Sequence, residues 1–191
     1  MDKPLFLKSL IATLLKRIHQ FETSKHENIL YSNPDYLFQL IWFLKHHTNT
    51  RFQVLIDICG VDYPPRKRRF EVVYNLLSIR YNSRIRVQSS VNEITPICLV
   101  VGIFPSAGWW EREVWDMFGV YSSNHPDLRC ISIDYGFEGH PLRKDFLLSG
   151  YFEVRHDDSE KRVVSEPIEM TQEFCYFDFA SPWEVASLRI K

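Results

Sequence analysis

Four charged residues lie close together in one short segment and are the first candidates for chemistry: Glu111, Arg112, Glu113 and Asp116. Three carboxylates beside an arginine have the composition of an acid–base site. On a helix, however, Arg112 and Asp116 stand four residues apart, where they can pair on a solvated face. Three tryptophans flank the charges: Trp109, Trp110 and Trp115. Because a buried carboxylate needs a partner, these neighbours favour a fixed ion-pair network at an interface.

Two histidines that each precede a proline, His125 and His140, are the next candidates. An X-Pro pair holds the chain extended and is typical of an ordered turn. A catalytic histidine needs a nucleophile or a substrate pocket, and no G-x-S-x-G motif occurs. Metal binding by both histidines with Asp127 would depend on turn-type spacing alone. We therefore predict no catalytic and no metal-binding residue in this chain.

Basic residues concentrate at residues 66–69 and in the turn Arg143-Lys144-Asp145. The whole chain has 23 lysines and arginines against 24 aspartates and glutamates, a net charge of -1. A nucleic-acid binder would need a larger excess of positive charge, which disfavours RNA binding through residues 66–86. Neither G-x-G-x-x-G nor a P-loop occurs, so no nucleotide-binding site is predicted.

The four cysteines are scattered along the chain: Cys59, Cys98, Cys130 and Cys175. An iron–sulfur cluster or a structural zinc ion needs thiolates grouped on short loops, so no cofactor is predicted in this chain. The longest apolar run, Ile97 to Phe104, is too short to cross a bilayer as a helix. Aromatic residues make up 15% of the chain, an excess that favours a docking surface.

We next consider the helices and strands that must position these residues. An apolar stripe predicts an amphipathic helix over residues 5–21. Asn33-Pro34 is typical of a helix start, and the stripe that follows predicts a helix to about His46-His47. Strands are predicted over Phe52 to Tyr63, from Phe70 to Leu76, from Ile85 onward, and over Pro96 to Phe104. Residues 1–105 are therefore predicted to form an α+β domain, with helices packed on a mostly antiparallel or mixed sheet.

Residues 106–150 differ in character, because six of the seven glycines fall within residues 102–150. One helix is predicted here, from Ala107 to Phe118, stopped by Gly119 and followed by turns. Residues 151–191 are acidic and aromatic without a helical period. Two alternatives stay open for this tail: an extended segment ordered by docking on a partner, or a last strand of the domain's own sheet.

Three motifs in this chain occur together in the sequences of one known protein family. The predicted helix carries E-R-E-V-W-D-M-F-G (111–119), and H-P-D-L-R (125–129) and G-H-P-L-R-K-D (139–145) follow it. Their order and spacing closely resemble the 30-kDa subunit of respiratory complex I, NADH:ubiquinone oxidoreductase. The match continues through residues 162–167 to the F-D-F-A-S-P-W motif of residues 177–183, which resembles the mitochondrial and proteobacterial branch. Residues 57–63 and 66–71 look like the plant, organelle-encoded form.

The resemblance implies a non-redox core subunit of the peripheral arm, on the matrix side of the mitochondrial inner membrane. Such a subunit supports electron transfer from NADH to ubiquinone by ordering the 49-kDa subunit and the neighbouring iron–sulfur subunits. FMN and the iron–sulfur clusters would then belong to the host complex, and this chain alone would have no catalytic residue. The alternative is the equivalent subunit of a bacterial NADH:quinone oxidoreductase. A free-standing enzyme that uses residues 111–145 is disfavoured, because these residues include no nucleophile or metal cluster.

The resemblance also implies that the motif residues are structural and interfacial. These residues are Trp110, Glu111, Arg112, Glu113, Asp116, His125, Arg129, His140, Arg143, Lys144, Asp145, Phe177, Phe179 and Trp183.

Four residues depart from what the resemblance leads us to expect. Cys130 and Cys175 stand where arginine is expected, Leu147 where proline is expected, and His156 where tyrosine is expected. Each departure corresponds to one pyrimidine transition in a codon, and plant organelle transcripts are commonly edited between C and U. We hypothesise that the sequence is partly the translation of an unedited gene. Peptide mass spectrometry that finds cysteine at 130 and 175 would refute this hypothesis.

Overall fold

The computed structural model describes residues 14, 18–23, 27–134, 136–147 and 149–169. The chain divides into two compact units, Met1–Phe146 and Leu147–Lys191.

The first unit is built on a five-stranded sheet with the order β1-β2-β5-β4-β3. Its strands are β1 (Ile18–Thr23), β2 (Asn28–Ser32), β3 (Val54–Asp62), β4 (Phe70–Ser78) and β5 (Ser83–Val91). Strand β2 pairs with β5 in parallel, whereas the other three neighbouring pairs are antiparallel. The predicted strands that begin near Phe70 and Ile85 pair as a hairpin, β4 with β5, in register from Phe70 opposite Val91 to Ser78 opposite Ser83. The mixed, mostly antiparallel sheet and the α+β class are therefore confirmed.

Helix α1 (Leu37–His46) covers one face of this sheet. A single turn of 3-10 helix, Pro34–Tyr36, precedes it, with Asn33 in the extended conformation of an N-cap. The apolar stripe of α1 recurs at three- and four-residue spacing and is fully buried: Leu37, Leu40, Ile41 and Leu44. It packs with alternate residues of the sheet, such as Leu30, Tyr74 and Val87, in one hydrophobic core.

Helix α2 (Ala107–Phe118) lies along the edge strand β3 and adds Val114 and Phe118 to the same core. The close approach depends on Gly60, because a Cβ there would lie 2.5 Å from Cδ2 of Phe118. The helix ends where predicted, at Gly119, whose φ of 75° is the left-handed conformation that favours glycine.

Two predicted elements differ from the structure. Residues 18–21 of the predicted first helix belong to β1, because they pair with β2 and cover the outer edge of the sheet; Leu14 is helical. The predicted strand over Pro96 to Phe104 is reduced to β6 (Ile97–Cys98), which pairs in parallel with β7 (Ser122–Ser123). The rest of that run forms turns, in which Val100 and Phe104 pack against the core without pairing as a strand.

The second unit contains an antiparallel hairpin, β8 (Phe152–Asp157) and β9 (Arg162–Pro167). Arg155, which is opposite Val164, reaches diagonally across it to Glu166 with two hydrogen bonds of 2.6 and 2.7 Å. The aromatic end of the predicted tail, which includes Phe177, Phe179 and Trp183, lies outside the described residues. Among the helices that are described, none is long and apolar enough to cross a membrane.

Candidate functional site

Three of the four charged residues of α2 are buried. Glu111 is 3% exposed, Arg112 9% and Asp116 1%, while Glu113 faces solvent. The solvated-face alternative is therefore wrong for the three buried residues, and each of them must be paired inside the protein.

Glu111 holds the segment that follows β6. Its Oε1 accepts the Val100 N–H at 2.7 Å. Its Oε2 is buried, accepts no hydrogen bond, and lies 3.8 Å from Nε2 of His125, which is equally unpartnered. Burial raises the pKa of Glu111 to about 7, although the Val100 N–H acts in the opposite direction.

His125 is the residue that faces Glu111, and its side chain is 3% exposed. Its Nδ1 lies 3.1 Å from the Asp127 N–H and accepts a hydrogen bond from it. Nε2 of His125 and Oε2 of Glu111 therefore face each other at 3.8 Å, where the H-P-D turn meets α2.

Arg112 reaches the same turn from the other side. Its Nη1 lies 3.7 Å from Oδ2 of Asp127, and its Nε donates to the Gly108 carbonyl. The guanidinium stacks on Trp109, 4.3 Å from the ring centroid. The pairing of Arg112 with Asp116 that the spacing suggested is thus replaced by one with Asp127, because Asp116 is turned toward another loop.

Asp116 fixes the segment that follows the turn. Its Oδ2 accepts the N–H groups of Ile131 at 2.6 Å and Ser132 at 2.9 Å. The Asp116 backbone carbonyl lies 2.9 Å from Nδ1 of His140, and the His140 ring packs edge-on against Trp115. One residue of α2 therefore anchors both the 131–132 segment and the G-H-P turn.

The G-H-P-L-R-K-D turn is tied to the end of α2. Arg143 donates from Nε to the Phe118 carbonyl at 2.7 Å, and the Leu142 N–H donates to the Met117 carbonyl at 3.2 Å. Gly119 is required here for space as well as conformation, because an added Cβ would lie 2.5 Å from Nη2 of Arg143.

A second polar cluster, which we call the Arg69 clamp, consists of Asp62, Arg69, Glu93, Arg143 and Asp145. Both carboxylate oxygens of Asp62 accept from Arg69, at 2.7 and 2.8 Å, and Arg69 also donates to Asp145 at 2.6 and 3.0 Å. Glu93 bridges Arg69 and Arg143 at 3.4 and 3.3 Å. The hydrogen bonds from Arg69 hold the pKa values of Asp62 and Asp145 below their ordinary range.

The sequence did not identify Asp62, Arg69 or Glu93 individually. Arg69 was part of a basic run that a solvated loop also explains, and Asp62 stands at the end of an ordinary strand. The only local signal was that Asp62 and Arg69 stand on either side of the break between two predicted strands, which is typical of many hairpins.

The other predicted site residues lie around these clusters. Lys144 donates its N–H to Asp62 at 2.9 Å, and Arg129 pairs with Asp127 on the surface at 3.1 Å. Trp110 is half-buried against the core. The structure thus brings together the described members of the predicted set around α2, while Phe177, Phe179 and Trp183 lie beyond the part that it describes.

The polar side chains described above bind the loops around α2. Across the described residues, no three His, Cys, Asp or Glu side chains come close enough to hold a metal ion. Cys59, Cys98 and Cys130 are free thiols with raised pKa values; burial is the first cause for Cys59 and Cys98, and a weak hydrogen bond to Asp116 for Cys130. This donor set does not fit an iron–sulfur cluster, which needs several thiolates together.

The comparisons with known proteins agree on one family. Residues 30–152 match the family model described as the respiratory-chain NADH dehydrogenase, 30 Kd subunit. A Marchantia polymorpha protein named NADH dehydrogenase (ubiquinone) iron-sulfur protein 3 is 81% identical over 187 residues, 98% of this chain and 96% of that protein. A Solanum tuberosum protein of the same name is 72% identical over 98% of this chain and 99% of that protein. A Reclinomonas americana protein named NADH-ubiquinone oxidoreductase subunit 9 is 60% identical, with 92% and 86% covered.

A solved structure shares the fold. A chain of the archaeal membrane-bound sulfane sulfur reductase, a respiratory membrane complex, superposes with a TM-score of 0.66 at 21% identity. The match covers 78% of this chain and 87% of that one. At that identity the similarity shows the fold alone.

Proposed function

Because the chain belongs to the family of 30-kDa subunits of the respiratory-chain NADH dehydrogenase, it is a core subunit of mitochondrial complex I, and we propose that its part there is positional. The complex is an NADH:ubiquinone oxidoreductase and uses FMN and iron–sulfur clusters. The chain assembles with other subunits of that complex. The bacterial alternative is not supported, because these relatives are complex I subunits of plants and of Reclinomonas americana.

The positional role is supported by the charged side chains of α2, which bind the surrounding loops. Glu111, Arg112 and Asp116 are buried, and each one fixes the loops around α2. A buried charged group is stabilised only by the partners within its reach, so these three residues favour the one arrangement of loops that places those partners around α2. A surface ordered in this way can dock on a partner without paying a large ordering entropy.

We further propose that the partner is the 49-kDa subunit, with the iron–sulfur subunits next to it. In this assembly residues 1–105 form the scaffold, residues 106–150 present the ordered loops, and residues 151–191 dock along the partner. The position is peripheral, on the matrix side of the inner membrane. By holding the partner in place, the chain would keep the quinone cavity shaped and the clusters within tunnelling reach.

We also propose that this chain carries no cofactor of its own. The relatives are called iron-sulfur proteins, yet the donors of the described residues do not assemble a cluster site. The redox groups would therefore belong to neighbouring subunits.

The test is a native gel of solubilised mitochondrial membranes, stained for NADH oxidation and probed with an antibody to this chain. We expect the chain to migrate with the large NADH-oxidising particle, and cross-linking of that particle to join residues 106–150 to the 49-kDa subunit. A chain that migrates as a small free protein would overturn the assignment, and cross-links to other subunits alone would overturn the choice of partner.

A further inference from the structure

A groove of about 250 Å³ lies between α2 and the edge strand β3. Its walls are mostly apolar: Ile58, Trp110, Val114, Met117, Phe118 and Leu142. Leu142 is 54% exposed, and Trp110 and Met117 are only partly buried. Apolar surface left open beside a well-packed core marks an interaction site.

Two carboxylates line the same groove, Asp57 from β3 and Glu113 from α2. Glu113 is exposed and forms no ion pair with any other described residue, whereas the neighbouring Glu111 and Asp116 are buried and accept backbone N–H groups. Asp57 accepts the Cys59 thiol, with 2.6 Å between Sγ and Oδ2. This thiol is uncharged, since burial and the two carboxylates raise its pKa to about 11.

Arg86, a cation near the groove, does not form an ion pair with Asp57 or Glu113. Arg86 is close enough for its charge to act on Cys59, but its Nη2 pairs with Glu27 at 3.0 Å and its Nε donates to Asn75. Within the described residues the groove therefore combines apolar walls with negative charge that has no matching ion pair. Such a surface favours a cationic partner and disfavours an anionic one.

We propose that this groove receives a segment of a neighbouring complex I subunit that carries an apolar anchor side chain beside a lysine or arginine. The inference rests on the proposed function, because it requires a neighbouring subunit. The anchor packs between Trp110, Met117 and Leu142. The cationic group lies against Glu113 and Asp57, where removal of water by the anchor strengthens the ion pair.

The first experiment uses purified, intact complex I. Carbodiimide with glycine ethyl ester labels carboxylates that water can reach, and peptide mass spectrometry measures the label at each position. We expect the label on Glu113 and Asp57 to be at least about ten-fold lower in the intact complex than after a chaotrope has released the subunit. Equal labelling in both samples, with the chain present in the complex, would overturn the groove proposal and leave the proposed function standing.

The second experiment tests the sign of the partner's charge. In complexes that carry variant chains, we expect Glu113→Lys to lower the salt concentration at which the chain dissociates, and Glu113→Gln to have a smaller effect in the same direction. Asp35→Lys is the matched control, because Asp35 is an exposed carboxylate outside the groove. If Glu113→Lys dissociates at the wild-type salt concentration, the proposed cationic partner is wrong. If even the wild-type chain is absent from the particle, the proposed function fails with it.

Discussion

Arg69 and Asp145 are 76 positions apart in the chain, yet Nη2 of Arg69 lies 2.6 Å from Oδ1 of Asp145. The same guanidinium holds Asp62 through two parallel hydrogen bonds. Arginine suits this position because its planar fork can serve two carboxylates at once. The last residue of β3 and the end of the G-H-P-L-R-K-D turn are therefore fixed relative to each other by one side chain.

Replacement of Arg69 by alanine should leave Asp62, whose side chain is 1% exposed, as a buried charge without its partner. We expect the free energy of unfolding to fall by about 3 kcal/mol, with Arg69→Lys losing less because it keeps the charge. Urea titration of the purified full-length chain measures the loss. Arg129→Ala is the control, since its pair with Asp127 is mostly exposed and should contribute under about 1 kcal/mol. Equal losses for the two alanine variants would contradict the assignment.

The same pair predicts an acid dependence. Arg69 lowers the pKa of Asp62, so the stabilisation is fully present above the ordinary carboxyl range and is lost as the pH falls through the lowered value. The stability difference between the wild type and Arg69→Ala should therefore shrink in acid. Unfolding titrations of both chains between neutral pH and about pH 3 measure it. A difference that stays constant over this range would show that Asp62 does not depend on Arg69.

For Glu111 we expect the opposite pH dependence of stability. Burial raises its pKa to about 7, so its contribution is fully present below the ordinary glutamate value and is lost as the pH rises to about 7. Glu111→Gln keeps an oxygen for the Val100 N–H and removes the titration. Relative to this variant, the wild type should lose up to about 3 kcal/mol between pH 4.5 and 7. Urea titrations at four pH values test this, and Glu113→Gln, an exposed neighbour, should retain the wild-type slope.

We expect the substitution of Cys130 by arginine to stabilise the protein. Asp116 beside it is 1% exposed, and its Oδ1 is buried without a hydrogen bond of ordinary geometry. A guanidinium at position 130 can reach this carboxylate, so Cys130→Arg should raise the melting temperature by about 2–4 °C, whereas Cys130→Ser should not. A neutral or negative effect would contradict this pairing. Peptide mass spectrometry of the mature protein tests the editing hypothesis separately, with arginine expected at position 130.

We expect that the packing of α2 against β3 cannot accommodate a methyl group at position 60. Gly60→Ala would place a Cβ 2.5 Å from Phe118, and we expect a loss of about 1–3 kcal/mol as the helix moves away from the strand. Gly102→Ala is the matched control, because an added Cβ there meets nothing within 4 Å. Thermal unfolding of the two variants compares them. A Gly60 variant as stable as the Gly102 variant would mean that α2 and β3 are packed less closely.

Local patterns were sufficient for the elements whose signals lie within a few residues. The stripe of α1, the stop of α2 at Gly119 and the β4–β5 hairpin follow from spacing, a left-handed glycine and a short turn. The motif order also identified the family without any structure. The sequence did not predict that β4 is buried on both faces. Phe70 and Tyr74 lie on the buried face as predicted, but Glu71 on the opposite face is also only 5% exposed.

By itself the sequence determined the family, the fold class and the segment that carries the charged residues. Only the tertiary structure decided which charges are buried and which partners they have, because each partner comes from a distant part of the chain. Arg112 pairs with Asp127 rather than with its helical neighbour, and Arg69 joins Asp62 to Asp145. Helical spacing limits which side chains can meet within one helix, but desolvation and loop packing select the pairs that form.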